Sequence, residues 1–363
     1  MSHIVIDARE LRTSTGRYVE RLLHYLQQLH ADHTYTVLLK PKDMDGWEPS
    51  DSRFSKVACP YKEFTFSEQL GYAKQLYGLK ADLVHFGKTE QPILYFKRSI
   101  TTVHDLTAAR FHNPNKSTLV SWVKRQVYKV VILWVAWKSK RILTPSQFVA
   151  HDLKHFTHST RPMTVTYEAA DKIVTSPVAL PRLQNIEYIM YIGRPTPHKN
   201  LDRLVEAFQL LQADRPSLHL VLAGKIDANY QRLRDRLEAA GQKNVIFTDF
   251  ISDEQLRWLY EHTAVYCFPS LSEGFGLPGL EAMQYGAPVA SSNATCLPEI
   301  YGDGAVYFDP TDVKDMTAKI EQLLTDKNLR KKVVAAASKQ VNTYSWQRMA
   351  EQTLAEYDKA LTS

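Results

Sequence analysis

Two glutamates on either side of a glycine-rich loop are the residues of this chain best suited to bind a sugar. Glu273 and Glu281 begin and end the run EGFGLPGLE at 273–281, with seven residues between them. Carboxylate oxygens accept hydrogen bonds from sugar hydroxyls. Either glutamate alone would be typical of a solvated charge, but the pair around Gly-Phe-Gly indicates a ligand site.

The neighbouring sequence places this run between a strand and a helix. The apolar residues at 264–268 predict a buried strand, while Pro278 and Gly286 predict where the following helix begins and ends. We therefore expect the first glutamate in the loop and the second in the first turn of the helix. Backbone N–H groups of 275–278 would meet a phosphate at this helix N-terminus.

A second loop supplies positive charge. Gly193 ends a predicted strand at 187–192, and Arg194 and Lys199 follow it before a predicted helix at 200–212. Most surface cations are merely solvated. A departing diphosphate needs fixed positive charge, however, and a strand end that carries both cations suits that task.

Several segments of the chain resemble the retaining GT-B glycosyltransferases of family 4, described as glycosyl transferases group 1. The glutamate pair resembles the signature of that family, and Gly193, Arg194 and Lys199 resemble its strand, loop and basic pair. Further matching segments are VHDL at 103–106, TPSQF at 144–148 and LPEI at 297–300. The resemblance covers nearly the whole chain and is clearest between about 186 and 310.

The resemblance implies a role for each residue of the donor site. Arg194 and Lys199 would contact the donor diphosphate, Glu281 the ribose and Glu273 the transferred sugar. The backbone around this loop would bind phosphate through Phe275, Gly276 and Leu277.

His104 and Gly16 are the corresponding residues of the first half of the chain. A lone histidine is more often structural, but the resemblance implies that His104 lies by the transferred sugar. Gly16 matches a glycine-containing acceptor loop, although Ser14 stands where another glycine is common. The segment YEAAD at 167–171 replaces a common Pro-Asn-Gly, which we expect to leave the donor site untouched.

Length and composition predict two globular domains and no membrane span. The chain has 363 residues, 44% of them hydrophobic and 23% charged, which is too long for one core. Its three widely spaced cysteines predict neither a disulfide framework nor a metal site. The N-terminus lacks the basic start of a signal peptide, and the longest apolar run, 130–137, is too short to cross a bilayer. We expect a cytoplasmic protein, either free or peripheral at the inner face of the membrane.

Apolar runs alternate with amphipathic ones, which predicts an α/β protein with two doubly wound parallel sheets of about six strands each. The predicted strands are 3–7, 35–39, 82–86, 99–103, 141–144, 163–167, 187–192, 218–223, 244–247, 264–268, 287–291 and 305–308. The predicted helices include 16–30, 67–79, 117–138, 200–212, 229–240, 253–261 and 312–324.

The resemblance implies the GT-B architecture, in which two Rossmann-like domains face a central cleft. Residues 1–175 would bind the acceptor and 176–344 the nucleotide sugar, with a last helix at 345–363 that packs back on the first domain.

The segment at 106–151 contains no aspartate or glutamate. Its cations are Arg110, Lys116, Lys124, Arg125, Lys129, Lys138, Lys140 and Arg141. Trp122, Tyr128, Trp134 and Trp137 interleave with them. One interpretation is a surface that meets an anionic membrane carrying a lipid-linked acceptor. The other, which we favour for the apolar residues, is a helix with solvated lysines and core tryptophans. Nucleic acid is not expected as a partner, since no nucleic-acid-binding module accompanies the charge.

A metal ion or other cofactor is not expected. Asp43 and Asp45 form an Asp-x-Asp pair of the kind that metal-dependent transferases use, but such a short motif is more often a solvated turn. Arg194 and Lys199 would carry the leaving charge instead.

We therefore predict a metal-independent, retaining hexosyltransferase that uses a nucleoside diphosphate sugar to glycosylate an acceptor hydroxyl in cell-surface polysaccharide or glycolipid synthesis. Mannose is slightly favoured as the sugar, and the acceptor is a saccharide, free or lipid-linked. Two alternatives stay open: a sugar-nucleotide epimerase or hydrolase of the same fold, and a catalytically silent nucleotide-sugar-binding protein. A nicotinamide dehydrogenase is disfavoured because no Gly-x-Gly-x-x-Gly follows any predicted strand.

Overall fold

The computed structural model describes residues 1–11, 16–63, 65–111 and 118–362, and the chain divides into two compact units. The first unit comprises Met1–Arg110, Lys116–Glu168 and Ser345–Ser363, and the second comprises Phe111–Asn115 and Ala169–Tyr344. Within the described residues, every helix is too short or too polar to cross a lipid bilayer.

The first unit is built on one parallel sheet. Its strands in the described residues are β1 (Ser2–Asp7), β2 (His33–Leu39), β3 (Phe54–Ala58), β4 (Leu83–Phe86), β5 (Ser99–Thr102), β6 (Arg141–Thr144) and β7 (Met163–Val165). Their order is β3-β2-β1-β4-β5-β6-β7, so the chain reverses its direction of travel across the sheet between β1 and β4. The central strands are buried, as parallel strands are when crossover helices cover both faces.

Five helices in the described part of the chain connect these strands. They are α1 (Gly16–Leu26), α2 (Ala73–Gly78), α3 (Thr107–Arg110), α4 (Thr118–Lys138) and α5 (Gln147–Thr157), and a π-helical stretch at Glu68–Tyr72 leads into α2. The α5 helix begins where the Ser146 side chain accepts a hydrogen bond from the Val149 N–H, which is a common N-cap arrangement.

The second unit repeats the plan with a six-stranded parallel sheet. Its strands are β8 (Tyr188–Ile192), β9 (His219–Ala223), β10 (Val245–Phe247), β11 (Val265–Phe268), β12 (Val289–Ser292) and β13 (Ala305–Phe308). The order β10-β9-β8-β11-β12-β13 places the reversal between β8 and β11. The crevice at the carboxyl ends of such a pair is where doubly wound folds bind ligands.

The helices of the second unit are α6 (Leu201–Asp214), α7 (Ala228–Ala239), α8 (Asp253–His262), α9 (Leu277–Gln284), α10 (Leu297–Tyr301), α11 (Val313–Thr325) and α12 (Lys327–Val341). Side-chain caps define several of their starts. Asp227 caps α7, and Ser252 forms a capping box with Gln255 at α8.

The final helix, α13 (Trp346–Thr362), belongs to the first unit, where it packs on α1. The Tyr357 hydroxyl lies 2.6 Å from Nδ1 of the buried His85, and Arg141 forms an ion pair with Glu356. Burial lowers the pKa of His85 to about 3, so this imidazole is neutral at physiological pH.

The prediction of two doubly wound parallel sheets is confirmed. The first sheet has seven strands in the described residues instead of about six, because the short edge strand β3 lacks a continuous apolar run. The prediction that the tryptophans of 106–151 are core residues is wrong for Trp122 and Trp137, which are more than half exposed. The reason is that α4 has apolar residues on both of its faces and buries the one carrying Ile132 and Val135.

Candidate functional site

Two loops leave neighbouring strands at the reversal point of the second sheet. The parallel register pairs Tyr266 of β11 with Met190 of β8, so both strands end at the same edge. The loop after β8 carries Arg194 and Lys199, and the loop after β11 carries Glu273. Sheet topology therefore brings together the cations and the first glutamate that sequence analysis selected.

Gly193 sets the backbone conformation at the start of the loop after β8. Its φ is +145°, and a Cβ built on it would lie 2.6 Å from the Tyr191 hydroxyl oxygen, so only glycine fits. The Tyr230 hydroxyl donates a 2.9 Å hydrogen bond to the Gly193 carbonyl and fixes this turn. The next side chain, Arg194, is exposed and makes no hydrogen bond or ion pair with the residues that the structure describes.

Lys199 and Glu273 form an ion pair across the two loops. The Lys199 ammonium donates to Glu273 Oε1 at 2.6 Å, and both side chains are less than one-fifth exposed. The same ammonium lies 5.6 Å from the centre of the Phe268 ring. An ammonium has three N–H donors, so the bond to Glu273 leaves two that can point at phosphate oxygens.

Asn200 holds the two loops together, and sequence analysis did not identify it. This buried residue has a left-handed backbone, with φ of 60°, and its side-chain amide donates to the carbonyls of Pro269 and Pro310 at 3.0 and 2.7 Å. A second tie joins the Leu271 N–H to the His198 carbonyl at 2.7 Å. An asparagine between a lysine and a helix was the available signal, because asparagine tolerates the left-handed conformation.

Helix α9 begins one residue earlier than predicted. Gly276 adopts φ of +92° and its carbonyl accepts a 2.6 Å hydrogen bond from the Tyr301 hydroxyl, which lets Leu277 be the first helical residue. Glu281 is consequently the fifth residue and lies in the second turn, so its predicted place in the first turn is wrong. Pro278 is the second residue.

The structure limits which backbone N–H groups at the start of α9 could meet a phosphate. Pro278 has no N–H, and the Gly279 N–H already donates to the Gly276 carbonyl at 3.1 Å. Phe275 contributes its backbone only, because its ring is buried against Tyr344 with ring centres 5.4 Å apart. An anion at this helix would therefore meet the segment 275–277.

Glu281 and Glu273 are each fixed by a hydroxyl group that sequence analysis missed. The Tyr260 hydroxyl lies 3.4 Å from Glu281 Oε2, and the Tyr260 ring stacks on Tyr285 with centres 5.9 Å apart. The Glu273 N–H donates to the Thr295 side chain at 3.1 Å. Both carboxylates thus belong to ordered parts of the loop and helix.

His104 lies in the other unit, just beyond β5. Its Nδ1 is 3.3 Å from Glu168 Oε1 and its Nε2 is 3.0 Å from the Gly87 carbonyl oxygen, while Tyr18 packs edge-on at 4.9 Å. Burial alone would lower the pKa of His104, but the hydrogen bond and charge of Glu168 raise it overall. Sequence analysis had not connected Glu168 with this histidine.

A cavity of about 440 Å³ opens beside His104 at the carboxyl edge of the first sheet. Its lining includes charged groups of both signs and is formed by Glu10, Lys62, Glu63, Lys88, Thr89, Glu90, His104, Asp105, Ala108, Lys124 and Tyr128. The Lys88 ammonium contacts both Glu10 and Glu63, at 2.9 and 2.8 Å. Hydrogen-bonding groups of both kinds suit a polyhydroxylated ligand.

Gly16 begins α1 under tight packing. A Cβ there would lie 2.2 Å from the Glu10 carbonyl oxygen, so glycine is required by the chain itself. Ser14 lies outside the described residues.

Among the described residues, no cluster of histidine, cysteine, aspartate or glutamate has the arrangement of a metal site. Asp43 is buried in a 3₁₀ turn at Pro41–Gly46, so the prediction of a solvated turn is wrong for it. Its neighbour Asp45 is exposed.

Comparisons with known proteins agree on one family. Residues 178–340 match the family model described as glycosyl transferases group 1. The O-antigen chain mannosyltransferase B of Escherichia coli is 32% identical over an aligned length of 275 residues, and the alignment covers 72% of this chain and 70% of that protein. The MMP alpha-(1->4)-mannosyltransferase of Mycolicibacterium hassiacum is 36% identical over 170 residues, 46% of this chain and 41% of that protein.

Solved structures share the fold at low sequence identity. Sucrose-phosphate synthase from Thermosynechococcus elongatus superposes with a TM-score of 0.80, 18% identity and full coverage of both chains. WaaG, a glycosyltransferase involved in lipopolysaccharide biosynthesis, gives a TM-score of 0.71 at 16% identity and covers 96% of this chain and 98% of its own.

The packing around Gly276 predicts a difference between two glycine substitutions. In Gly276→Ala the new Cβ would lie 2.5 Å from the Tyr301 hydroxyl oxygen, whereas Gly241, with φ of +66°, has nothing within 4 Å. Gly276→Ala and the control Gly241→Ala both incur left-handed backbone strain of about 1–3 kcal/mol. Only Gly276→Ala should lose roughly 1–3 kcal/mol more from overpacking. Urea unfolding measures both, and equal losses would contradict the packing role of Gly276.

Proposed function

The chain belongs to the family of glycosyl transferases group 1 and is a glycosyltransferase, and from this premise we propose that it is a retaining, metal-independent hexosyltransferase. The donor would be a nucleoside diphosphate sugar and the acceptor a saccharide hydroxyl, free or lipid-linked, in cell-surface polysaccharide or glycolipid synthesis. We assign nucleotide-sugar binding to the second unit and acceptor binding to the first.

The observation that carries this proposal is the ion pair between Lys199 and Glu273 at the reversal point of the second sheet. A cation and a carboxylate held 2.6 Å apart can contact the two ends of one donor, its diphosphate and its sugar.

Each residue then has a distinct task. Lys199 and Arg194 bind the diphosphate oxygens and stabilise the negative charge that grows on them as the bond to sugar C1 breaks. Glu273 accepts hydrogen bonds from hydroxyls of the transferred sugar, and Glu281 from the ribose. Because the bond to Glu273 uses one N–H group of Lys199, we expect the donor to take up the remaining N–H groups of Lys199 without breaking the pair.

The proposed reaction exchanges one bond at sugar C1 for another. The C1–oxygen bond to the diphosphate breaks and its electron pair stays on the phosphate oxygen. The acceptor hydroxyl oxygen bonds to C1 on the same face, and its proton passes to the departing diphosphate. No protein nucleophile is assigned, so the proposal contains no covalent intermediate.

Mannose is the sugar best supported. The Escherichia coli and Mycolicibacterium hassiacum relatives are named mannosyltransferases. GDP-mannose is accordingly the first donor to examine.

Product analysis with and without an acceptor tests the proposed reaction. We expect GDP-mannose to be consumed when a saccharide acceptor is present, to give an α-mannoside, and to be unaffected by EDTA. GDP at one hundred times its Kd should stabilise the fold by about 2.7 kcal/mol in thermal unfolding. Release of free mannose without an acceptor would identify a hydrolase, and transfer from UDP-glucose alone would contradict mannose.

Arg194→Ala and Lys199→Ala should each reduce kcat strongly while the protein stays folded. Loss of one preorganised charge removes about 2–4 kcal/mol of transition-state stabilisation. The matched control is Lys332→Ala, which removes an exposed lysine from α12 and should change neither kcat nor KM. Full activity of either loop variant would remove the leaving-group role.

We further propose that α4 brings the enzyme to an anionic membrane. Its outward face is apolar, with Leu119, Trp122, Val130 and Trp137 all more than half exposed. The lysines Lys124, Lys129 and Lys140 are interleaved with or adjoin this face, and 106–151 contains no acidic residue. The Lys138 ammonium is instead buried, 4.9 Å from the centre of the Tyr95 ring. Lys116 lies outside the described residues. Apolar side chains flanked by cations complement a bilayer of anionic lipids better than another protein surface.

Vesicle sedimentation tests this membrane contact. The protein should pellet with anionic vesicles at low salt and less at high salt, since each lysine near the surface contributes about 1 kcal/mol that salt screens. Trp122→Ser and Trp137→Ser should weaken pelleting, whereas Phe250→Ser, which changes an 80% exposed aromatic of the second unit, should not. Equal pelleting with anionic and neutral vesicles, or none with either, would favour a soluble acceptor.

A further inference from the structure

Both ring nitrogens of His104 face hydrogen-bond acceptors. Nδ1 is 3.3 Å from a Glu168 carboxylate oxygen and Nε2 is 3.0 Å from the Gly87 carbonyl oxygen. A neutral imidazole carries one N–H and cannot donate to both, whereas an imidazolium donates from both nitrogens. The geometry therefore selects the charged form of His104.

We propose that Glu168 is a positioning residue that holds His104 as an imidazolium, so that His104 acts in glycosyl transfer as a fixed positive charge and not as a hydrogen-bond partner of sugar hydroxyls. This proposal rests on the proposed function, because the charge would stabilise negative charge that develops during glycosyl transfer. It assigns a role to Glu168, which the sequence resemblance left without one.

Burial makes the pair interdependent. Glu168 is 6% exposed, so its carboxylate has lost most of its hydration and needs a charged partner. His104 is also mostly buried, which by itself would favour the neutral ring. His104 therefore keeps its charge because Glu168 is present.

The remaining groups near His104 divide by their effect on its charge. Asp105 adds negative charge and supports the imidazolium. His85, whose Nε2 is bonded to Thr102 and whose pKa is lowered to about 3, is neutral and adds no competing cation. Burial raises the pKa of Tyr18, so the ring packed against His104 is also neutral. The charged groups that line the adjoining cavity are Glu10, Lys62, Glu63, Lys88, Glu90 and Lys124.

Removing the Glu168 charge changes which influence dominates the pKa of His104. In Glu168→Gln, burial becomes the dominant influence and the pKa of His104 falls. A group with a raised pKa keeps its proton until the pH passes that value, so a lower pKa means that the imidazolium disappears at lower pH. The variant should lose the imidazolium in the pH range where the wild type retains it.

NMR of ¹⁵N-labelled histidine reads this protonation directly and needs no substrate. At pH 7 both ring nitrogens of His104 should be protonated in the wild type, and one should be unprotonated in Glu168→Gln. His104→Gln identifies the signal among the 13 histidines. A neutral His104 ring in the wild type at pH 7 would overturn the proposal, whether or not the protein transfers mannose.

Kinetics then test whether the charge serves the reaction. At a pH where NMR shows His104 charged in the wild type and neutral in Glu168→Gln, the variant should have a kcat lower by roughly tenfold to a hundredfold, with little change in donor KM. Its activity should recover as the pH falls. Glu168→Asp should retain most of the activity. The matched control is Asp358→Asn, which removes the carboxylate of another histidine pair, His33 with Asp358 at 2.9 Å, and should keep the wild-type pH profile.

A loss of activity in Glu168→Gln that is the same at every pH would contradict the proposal, since it would indicate a merely structural role. If the NMR result is as expected but no nucleotide sugar is turned over by the wild type, the proposed function fails while the assignment of Glu168 as the partner that keeps His104 charged stands.

Discussion

The parallel pairing of β8 with β11 is the constraint on which the rest of the second unit depends. The strands that follow β8 lie on one side of it, and those that follow β11 lie on the other side of the sheet. The loops after β8 and β11 therefore diverge and leave a crevice at the carboxyl ends of these two strands. Residues more than seventy positions apart in sequence thereby meet, as the bond between Lys199 and Glu273 illustrates. Neither loop could form this site with a different strand neighbour.

The two loops keep their geometry through backbone conformations that few residues can adopt. Gly193 and Gly276 have positive φ and no room for a side chain, and Asn200 combines a left-handed backbone with two hydrogen bonds to carbonyls of other loops. Such positions are strained for other residues, and the surrounding hydrogen bonds from Tyr230 and Tyr301 hold them in place. The charged side chains therefore lie on an ordered backbone, which reduces the conformational entropy lost when a ligand binds.

Several buried charged side chains of the first unit form ion pairs with one another. Arg9 is fully buried and bonds to both Asp7 and Glu68, and its guanidinium lies 4.1 Å from the centre of the Tyr72 ring. His104 and Glu168 follow the same rule at the edge of the sheet. Buried charges of this kind persist only with partners, so removing one member leaves the other uncompensated and costs several kcal/mol. The helix α4 differs, because one of its two apolar faces is exposed and has cations beside it.

The amino-acid sequence by itself determined every strand of the described residues except the edge strand β3, the two-sheet fold class and the loop positions of Arg194, Lys199 and Glu273, because apolar periodicity and glycine or proline breaks are local properties. It also indicated the family through its motifs. Only the tertiary structure decided that Lys199 pairs with Glu273, that Asn200 and Tyr301 fix their loops, and that Glu168 meets His104. These contacts depend on the order of strands in a sheet and on which face of a helix is buried. A helix such as α4, apolar on both faces, leaves that choice to its neighbours, so no periodicity could foretell that Trp122 and Trp137 face outward.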